Sequence, residues 1–172
     1  QQWIHAARTA DPGRAELLAD LPAEINPAEV TDQPNQLAKQ LISFIDQSKE
    51  ELLLVTAYLI PTPNLEDAIE RAEARGVNVR ILTNSLRSNN HTSAHSSYRN
   101  HVGRLIKHGA KLHEVRSFAK DRSNYMLSPV HDKALGLHAK LLLIDYEMTF
   151  IGSANMDPRS LRLNTEMGLL IH

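Results

Sequence analysis

Cysteine is absent from the 172 residues. No disulfide framework, thiolate nucleophile or Cys-ligated zinc is therefore available. No apolar run reaches the roughly 18 residues that span a bilayer, and no signal-peptide pattern opens the chain. Charge of one sign is lacking overall, since the formal net charge is −1. Within the chain, however, charge is unevenly spread. Residues 1–70 hold four Lys/Arg against twelve Asp/Glu, and residues 71–122 hold eleven against three. The middle third reads either as an anion-binding surface or as Arg-rich solvated helix faces. Aromatics are scarce in that basic stretch, where Tyr98 and Phe118 stand alone, and this argues against a single-stranded nucleic-acid partner.

What is present fits one soluble globular domain. The apolar fraction is 42%, an ordinary value, and the length is that of about one domain. Gln1 is not a start residue and the chain stops inside an apolar run, Leu169-Leu170-Ile171-His172. The expectation is a piece of a longer protein, with any membrane attachment supplied by the rest of that parent. Residues 1–33 are acidic and interrupted by Pro12, Pro22 and Pro27. They read as a linker or wrap-around segment, with a short helical turn over 15–21.

From residue 34 onward the patterning is regular. Leu37, Leu41, Phe44 and Ile45 form one helical stripe, and Leu52 to Val55 reads as a strand buried on both faces. A second helix starts near Thr62-Pro63-Asn64, with Glu66 and Asp67 suited to its dipole and Gly76 at its end. Val77, Val79 and Ile81 alternate as a strand. Residues 84–97 read as a polar loop, followed by a helix striped by Tyr98, Val102, Leu105 and Ile106. Further strands fall at 112–115, 141–144, 148–151 and 167–171, with long polar loops at 117–136 and 153–165. Strands alternating with amphipathic helices predict an α/β fold built on a mixed sheet.

The chemistry is concentrated near the end: His138-Ala139-Lys140, then Asp145, then Gly152-Ser153-Ala154-Asn155. On an extended chain His138 and Lys140 share a face about 6–7 Å apart. An ammonium there can hold a phosphate oxygen while the imidazole meets phosphorus. Gly152 would allow close backbone approach. Asn155 offers an amide donor where phosphoryl transfer builds charge. Each residue alone has an ordinary alternative: a satisfied strand-end histidine, a snorkelling lysine, a turn aspartate. Together their spacing is selective. The other His-x-Lys, His131-Asp132-Lys133, lacks the downstream partners and is a decoy. His91 and His95 stand at i, i+4 and would make a metal pair on a helix, but further ligands at zinc-like spacing are missing.

This spacing resembles the signature of the phospholipase D superfamily. The runs from Leu137 to Lys140, Phe150 to Ser160 and Leu163 to Gly168 resemble the second motif region of bacterial cardiolipin synthase-like proteins. So does Leu82-Thr83-Asn84-Ser85-Leu86, with His95, Tyr98 and Arg99 beyond it. The resemblance covers residues 35–172 and implies a phospholipase D-like domain over 34–172. It implies a phosphatidyltransferase or phosphodiesterase of phospholipid metabolism, membrane-associated and needing no cofactor or metal. One motif histidine would form a phosphohistidine and a second would protonate the leaving alcohol. His138 matches one of the two, and one half does not say which. Lys140 and Asn155 match phosphate-binding positions and Ser153 a supporting one. Asp145 belongs to the motif with an ordering role, and with His138, Lys140 and Glu166 it is counted among the catalytic residues that the resemblance implies. Glu166 matches a carboxylate set against the catalytic imidazole, fixing its tautomer. The resemblance implies a phospholipid substrate and a second motif half, from the same parent chain or from a homodimer, without which this half would be inactive. A nucleic-acid phosphodiesterase completed by homodimerisation is the alternative.

Overall fold

The computed structural model describes residues 8–9, 13–21, 32–90, 92–124, 126, 128–130 and 132–172. Among the described residues seven strands form one sheet in the order β1-β7-β6-β5-β2-β3-β4. They are β1 Ala15–Ala19, β2 Glu51–Val55, β3 Asn78–Asn84, β4 Lys111–Val115, β5 Leu141–Ile144, β6 Met148–Gly152 and β7 Met167–Ile171. Strands β2, β3 and β4 run parallel, while β5, β6, β7 and β1 pair antiparallel. Three helices pack with the sheet among the described residues: α1 Gln36–Gln47, α2 Pro63–Ala74 and α3 Thr92–His108. The α/β class with a mixed sheet is as the sequence predicts.

Local chemistry sets the helix ends. Asn35 caps α1 by accepting from the Ala38 amide at 2.8 Å, which satisfies one of the orphan N–H groups. Leu37, Leu41 and Ile45 then fall on the buried stripe. Pro63 opens α2, and Gly76 follows it at φ 87°, a left-handed conformation that costs glycine little. These stripes and Leu52, Leu54, Ile81, Leu142, Ile144 and Phe150 make one core.

The structure corrects the sequence reading at four places. Residues 15–19 are not a helical turn but the edge strand β1, in register Leu17↔Leu169 against β7. Leu18 enters the core and Leu17 stays 67% exposed, a period-2 pattern too short to outweigh local helix preference when read alone. Helix α3 begins at Thr92 rather than near Tyr98, because His95 and Tyr98 are both buried on its inner side. Arg159–Leu163 forms a single π-helical turn inside the supposed loop. Lastly, His138 to Lys140 lie just ahead of β5 rather than within its ladder.

A half-buried acid makes the fold pH-sensitive. Glu73 on α2 sends both carboxylate oxygens into the crevice beside Ile69 and Leu105, with no hydrogen-bond partner among the described residues. Burial, and then the charge of Glu70, push its pKa from 4.5 up to about 7. Between those values the folded chain keeps a proton that the unfolded chain has released. Stability therefore falls as pH rises through that window and is flat above it. Glu73→Gln should flatten this slope and add about 1–2 kcal/mol at pH 8. That figure starts from about 1.4 kcal/mol per pKa unit and is reduced for solvent screening of a half-buried group. Urea midpoints at pH 5 and pH 8 measure it. An unaltered slope in the variant would place the titrating group elsewhere.

Candidate active site

One end of the sheet gathers the chemistry. Strands β1, β2, β3 and β6 finish there, and β5 and β7 begin there. The Lys140 carbonyl accepts from Gly152 N at 3.2 Å, so the two motif segments enter side by side. His138 is exposed, whereas Lys140 is only 8% exposed. The Lys140 ammonium lies 3.4 Å from His138 Nδ1 and donates to the His138 carbonyl at 2.7 Å. Alternation along extended chain puts both groups on one face, as the spacing requires. Burial lowers the Lys140 pKa below its ordinary value, while the charges of Glu166 and Asp157 pull it back up. A desolvated ammonium with a donor to spare attracts an anion far better than one in water.

Asn84, at the end of β3, fixes the approach to His138. Its side chain accepts from Leu137 N at 2.8 Å and donates to the Leu137 carbonyl at 2.9 Å and the Ala57 carbonyl at 3.1 Å. A side-chain amide thus does what a neighbouring strand would do for the residue before the imidazole. Its role had no signal in composition or periodicity beyond its place in the resembling segment Leu82 to Leu86.

Ser153 and Glu166 meet across the β6–β7 junction. The Ser153 hydroxyl donates to Glu166 Oε2, and Ser153 Oγ accepts from Met167 N at 3.1 Å. Asn164 donates to Glu166 Oε1 at 3.0 Å. Behind them stands Asp20, 7% exposed, which accepts from Glu166 N at 3.1 Å and from Leu37 N at 2.7 Å. Asp20 therefore ties the carboxylate to the start of α1. It falls in the stretch taken as linker, where nothing but the buried edge strand would have pointed to it.

Asn155 follows on a loop pinned to the segment after β2. Ile60 N donates to the Met156 carbonyl at 2.7 Å, and Met156 N donates to Thr56 Oγ1 at 3.1 Å. Among the described residues the Asn155 carboxamide oxygen is buried with no partner, and such an orphan costs about 1–3 kcal/mol.

Not every expected residue comes here. Asp145 lies at the opposite end of β5, where Asp145 and Tyr146 hold positive φ of 51° and 60° in the β5–β6 turn. Its carboxylate accepts from Glu50 N at 2.8 Å, Lys49 N at 2.9 Å and Glu51 N at 3.0 Å. Burial opposes its charge, yet the N–H groups of Glu51, Glu50 and Lys49 together hold its pKa below the ordinary value. Counted among catalytic residues from the sequence, it is a structural clasp, consistent with the ordering role the resemblance gives it. Glu166 bonds Ser153 and Asn164, not His138; the ammonium of Lys140 occupies the imidazole's Nδ1 side instead. Gly152 serves packing: a Cβ there would lie 2.6 Å from the Met167 carbonyl and against the Phe150 ring. His95 is buried on α3 against Tyr98, with ring centroids 5.4 Å apart, and His91 lies outside the described residues. Among the described residues no group of three His, Asp or Glu is placed to hold a metal.

Part of the basic stretch is answered within the domain. Arg71 pairs with Asp46, Arg80 with Glu51 and Arg104 with Glu66, Asp67 and Glu70. Arg75 donates to the Ile45 carbonyl and Lys111 to Asn78.

A family model described as the phospholipase D-like domain of cardiolipin synthase matches residues 41–172. Cardiolipin synthase C of Escherichia coli K12 is 33% identical over 141 residues, 78% of this chain and 29% of that protein. The chain thus spans under a third of that relative's length. Among solved structures, phosphatidylserine synthase of Haemophilus influenzae superposes with a TM-score of 0.64 at 18% identity, covering 92% of this chain and 34% of that one. Nuc from Salmonella typhimurium, a phospholipase D family member, gives 0.59 at 19% identity, covering 93% and 83%. At such identities the two structures speak for the fold alone.

Proposed function

Because the chain belongs to the phospholipase D-like domain family of cardiolipin synthases, we propose that it carries one half of a phosphodiester-transfer site working through a phosphohistidine. Phosphatidyl transfer between lipids is the reaction we assign first. The observation that carries this reading is the exposed His138 imidazole with the desolvated Lys140 ammonium 3.4 Å away. Lys140 releases the ring when a phosphate arrives and binds a nonbridging oxygen, with the Asn155 amide beside it. Glu166 sustains the charge on Lys140 and is steadied by Ser153.

In the first step one imidazole nitrogen bonds phosphorus as the ester P–O bond breaks, and the second imidazole gives the leaving alkoxide a proton. In the second step that imidazole takes the proton of an incoming alcohol or water. The new P–O bond forms and the P–N bond breaks. Among the described residues no second imidazole is bonded to this site, so the partner ring comes from a second copy or another part of the same polypeptide. No helix of the described residues is long and apolar enough to cross a membrane; contact with lipid would come through the site face or through other parts of the protein.

The nucleic-acid alternative has less support, because at least five of the eleven cations in residues 71–122 are bonded within the domain and Tyr98 and Phe118 are the aromatics of that stretch. The test is a rapid-quench reaction with phosphatidylglycerol labelled at phosphorus, followed by thin-layer chromatography of the lipids. We expect acid-labile, base-stable phosphate on a histidine, together with a transphosphatidylated product. Turnover with no phosphoprotein at any time would sink the phosphohistidine route.

A further inference from the structure

The cations of the basic stretch are sorted by where they lie. Arg71, Arg75, Arg80 and Lys111 are bonded within the domain and lie toward the end of the sheet remote from His138, where α2 finishes and β3 and β4 start. Cations at the His138 end are not answered in this way. Arg87, Arg99, Arg116, Lys120 and Lys133 are exposed there, and none has an ion pair among the described residues. Over residues 84–99 and 114–136 six Lys/Arg stand against three Asp/Glu. One of those three acids, Glu114, is held by the Tyr98 hydroxyl at 2.9 Å.

The path of the chain explains this gathering. Strands β3 and β4 are parallel and reach the same end, in register Asn84↔Val115. Arg116 follows β4 at once. From Ser117 the chain leaves as a long loop, which closes where Leu135 N donates to the Ser117 carbonyl at 2.9 Å, three residues ahead of His138. Arg87 rides on the turn from Ser85 to Ser88, whose two hydroxyls bond each other at 3.1 Å. The Ser88 carbonyl lies 3.1 Å from where a Cβ of Gly136 would stand, so turn and loop run side by side. Arg99 lines one hollow with Leu86 and Glu114, which brings α3 into the same surface.

Apolar side chains are set among these charges. Leu86, Phe118 and Val130 are half exposed or more, on that turn and that loop. The Arg122 guanidinium lies 5.6 Å from the Phe118 ring centroid, a cation held against an apolar ring at the surface. Exposed apolar groups rimmed by charge mark a contact surface, and cations joined to apolar side chains suit the boundary between anionic headgroups and acyl chains. We infer that the end of the sheet around His138 docks on an anionic bilayer, with Arg87, Arg99, Arg116 and Lys120 against the headgroups and Leu86 and Phe118 entering the boundary below them. A nucleic acid fits less well, because Leu86 and Val130 offer no stacking face.

Co-sedimentation of the full chain with vesicles tests this, using phosphatidylcholine alone and phosphatidylcholine mixed with phosphatidic acid. Phosphatidic acid carries the charge and has no headgroup alcohol to lose. Association is thus read without turnover, and a failure of the phosphohistidine route leaves it standing. Mixed vesicles should bind at least about tenfold tighter, and less so as salt rises. Arg116→Gln together with Lys120→Gln should weaken that binding roughly 25-fold, at about fivefold for each cation near an anionic surface. Phe118→Ser should weaken it about tenfold at low and high salt alike, since apolar insertion is not screened. Lys107→Gln, exposed on the last turn of α3 at the other end, should change nothing. All four side chains are exposed, so these variants keep the fold. Equal binding to neutral and mixed vesicles would overturn the inference. So would a loss for Lys107→Gln as large as for the pair, or unaltered binding in both the pair and Phe118→Ser. A DNA oligomer that binds tighter than the mixed vesicles and ignores Phe118→Ser would overturn it in favour of nucleic acid.

Discussion

With His138 replaced by alanine, phosphodiester turnover falls by at least about 10³-fold, and the fold is unchanged. The magnitude follows from the role proposed for the ring: nucleophile or proton carrier, it would take part in bond making, and such groups cost thousands-fold when deleted. The unchanged fold follows from exposure. His138 packs against nothing in the core, and surface substitutions shift stability by about 0.5 kcal/mol or less. Among the described residues the imidazole's side-chain hydrogen-bond contact is Lys140 at 3.4 Å, and that ammonium keeps its bond to the backbone carbonyl of residue 138 at 2.7 Å whatever side chain stands there. Rapid-quench analysis of the same variant separates the roles. Loss of phosphoprotein marks His138 as the nucleophile, and accumulation marks it as the proton carrier. Activity within tenfold of the unmodified enzyme would show that another group does the chemistry. Lys140→Ala is expected to lose about 10²–10³ in kcat, the cost of removing one preorganised donor to developing charge.

The contrast between residues 138 and 145 shows what spacing tells and what it hides. His-x-Lys on an extended segment places two side chains on one face because strand geometry leaves no choice, so their meeting was legible. Asp145 sits five residues past Lys140 in the same motif, yet one strand length carries it to the far end of the sheet. A motif in sequence is one object; in space it is a strand with two ends. The core strands and three helices were legible because apolar period is strong over ten residues. β1 was not, because five residues with one leucine inward and one outward carry little signal. Its place is set by a partner about 150 residues away, as Leu17↔Leu169 shows. Asn84 and Asp20 escaped for the same reason. Each acts through hydrogen bonds to distant backbone, and no local pattern reports an acceptor's eventual donor.

Asp20 is where this hidden layer can be tested most severely. Its two oxygens accept from Leu37 N and Glu166 N at 2.7 and 3.1 Å, and it is 7% exposed. Asp20→Ala leaves both N–H groups without that acceptor in a site too closed for easy repair by solvent. Each orphaned buried group costs about 1–3 kcal/mol, so a loss of about 2–4 kcal/mol is expected. For a domain of this size that is a fall in Tm of roughly 5–15 °C. A purely structural strut would stop there. Asp20 also holds the backbone of Glu166, whose carboxylate orders Ser153 and acts on Lys140. Well below the lowered Tm, kcat should therefore drop as well. Glu166→Gln added to Asp20→Ala should cost less than the sum of the two single changes, because both work through one carboxylate. Asp20→Asn keeps one acceptor oxygen but presents an amide to the other N–H, so it should fall between alanine and aspartate in both readouts. A Tm shift under about 2 °C for alanine would refute the clasp. Strict additivity of the two substitutions would leave Asp20 a brace for β1 and α1 alone, without influence on the ammonium proposed to hold the phosphate.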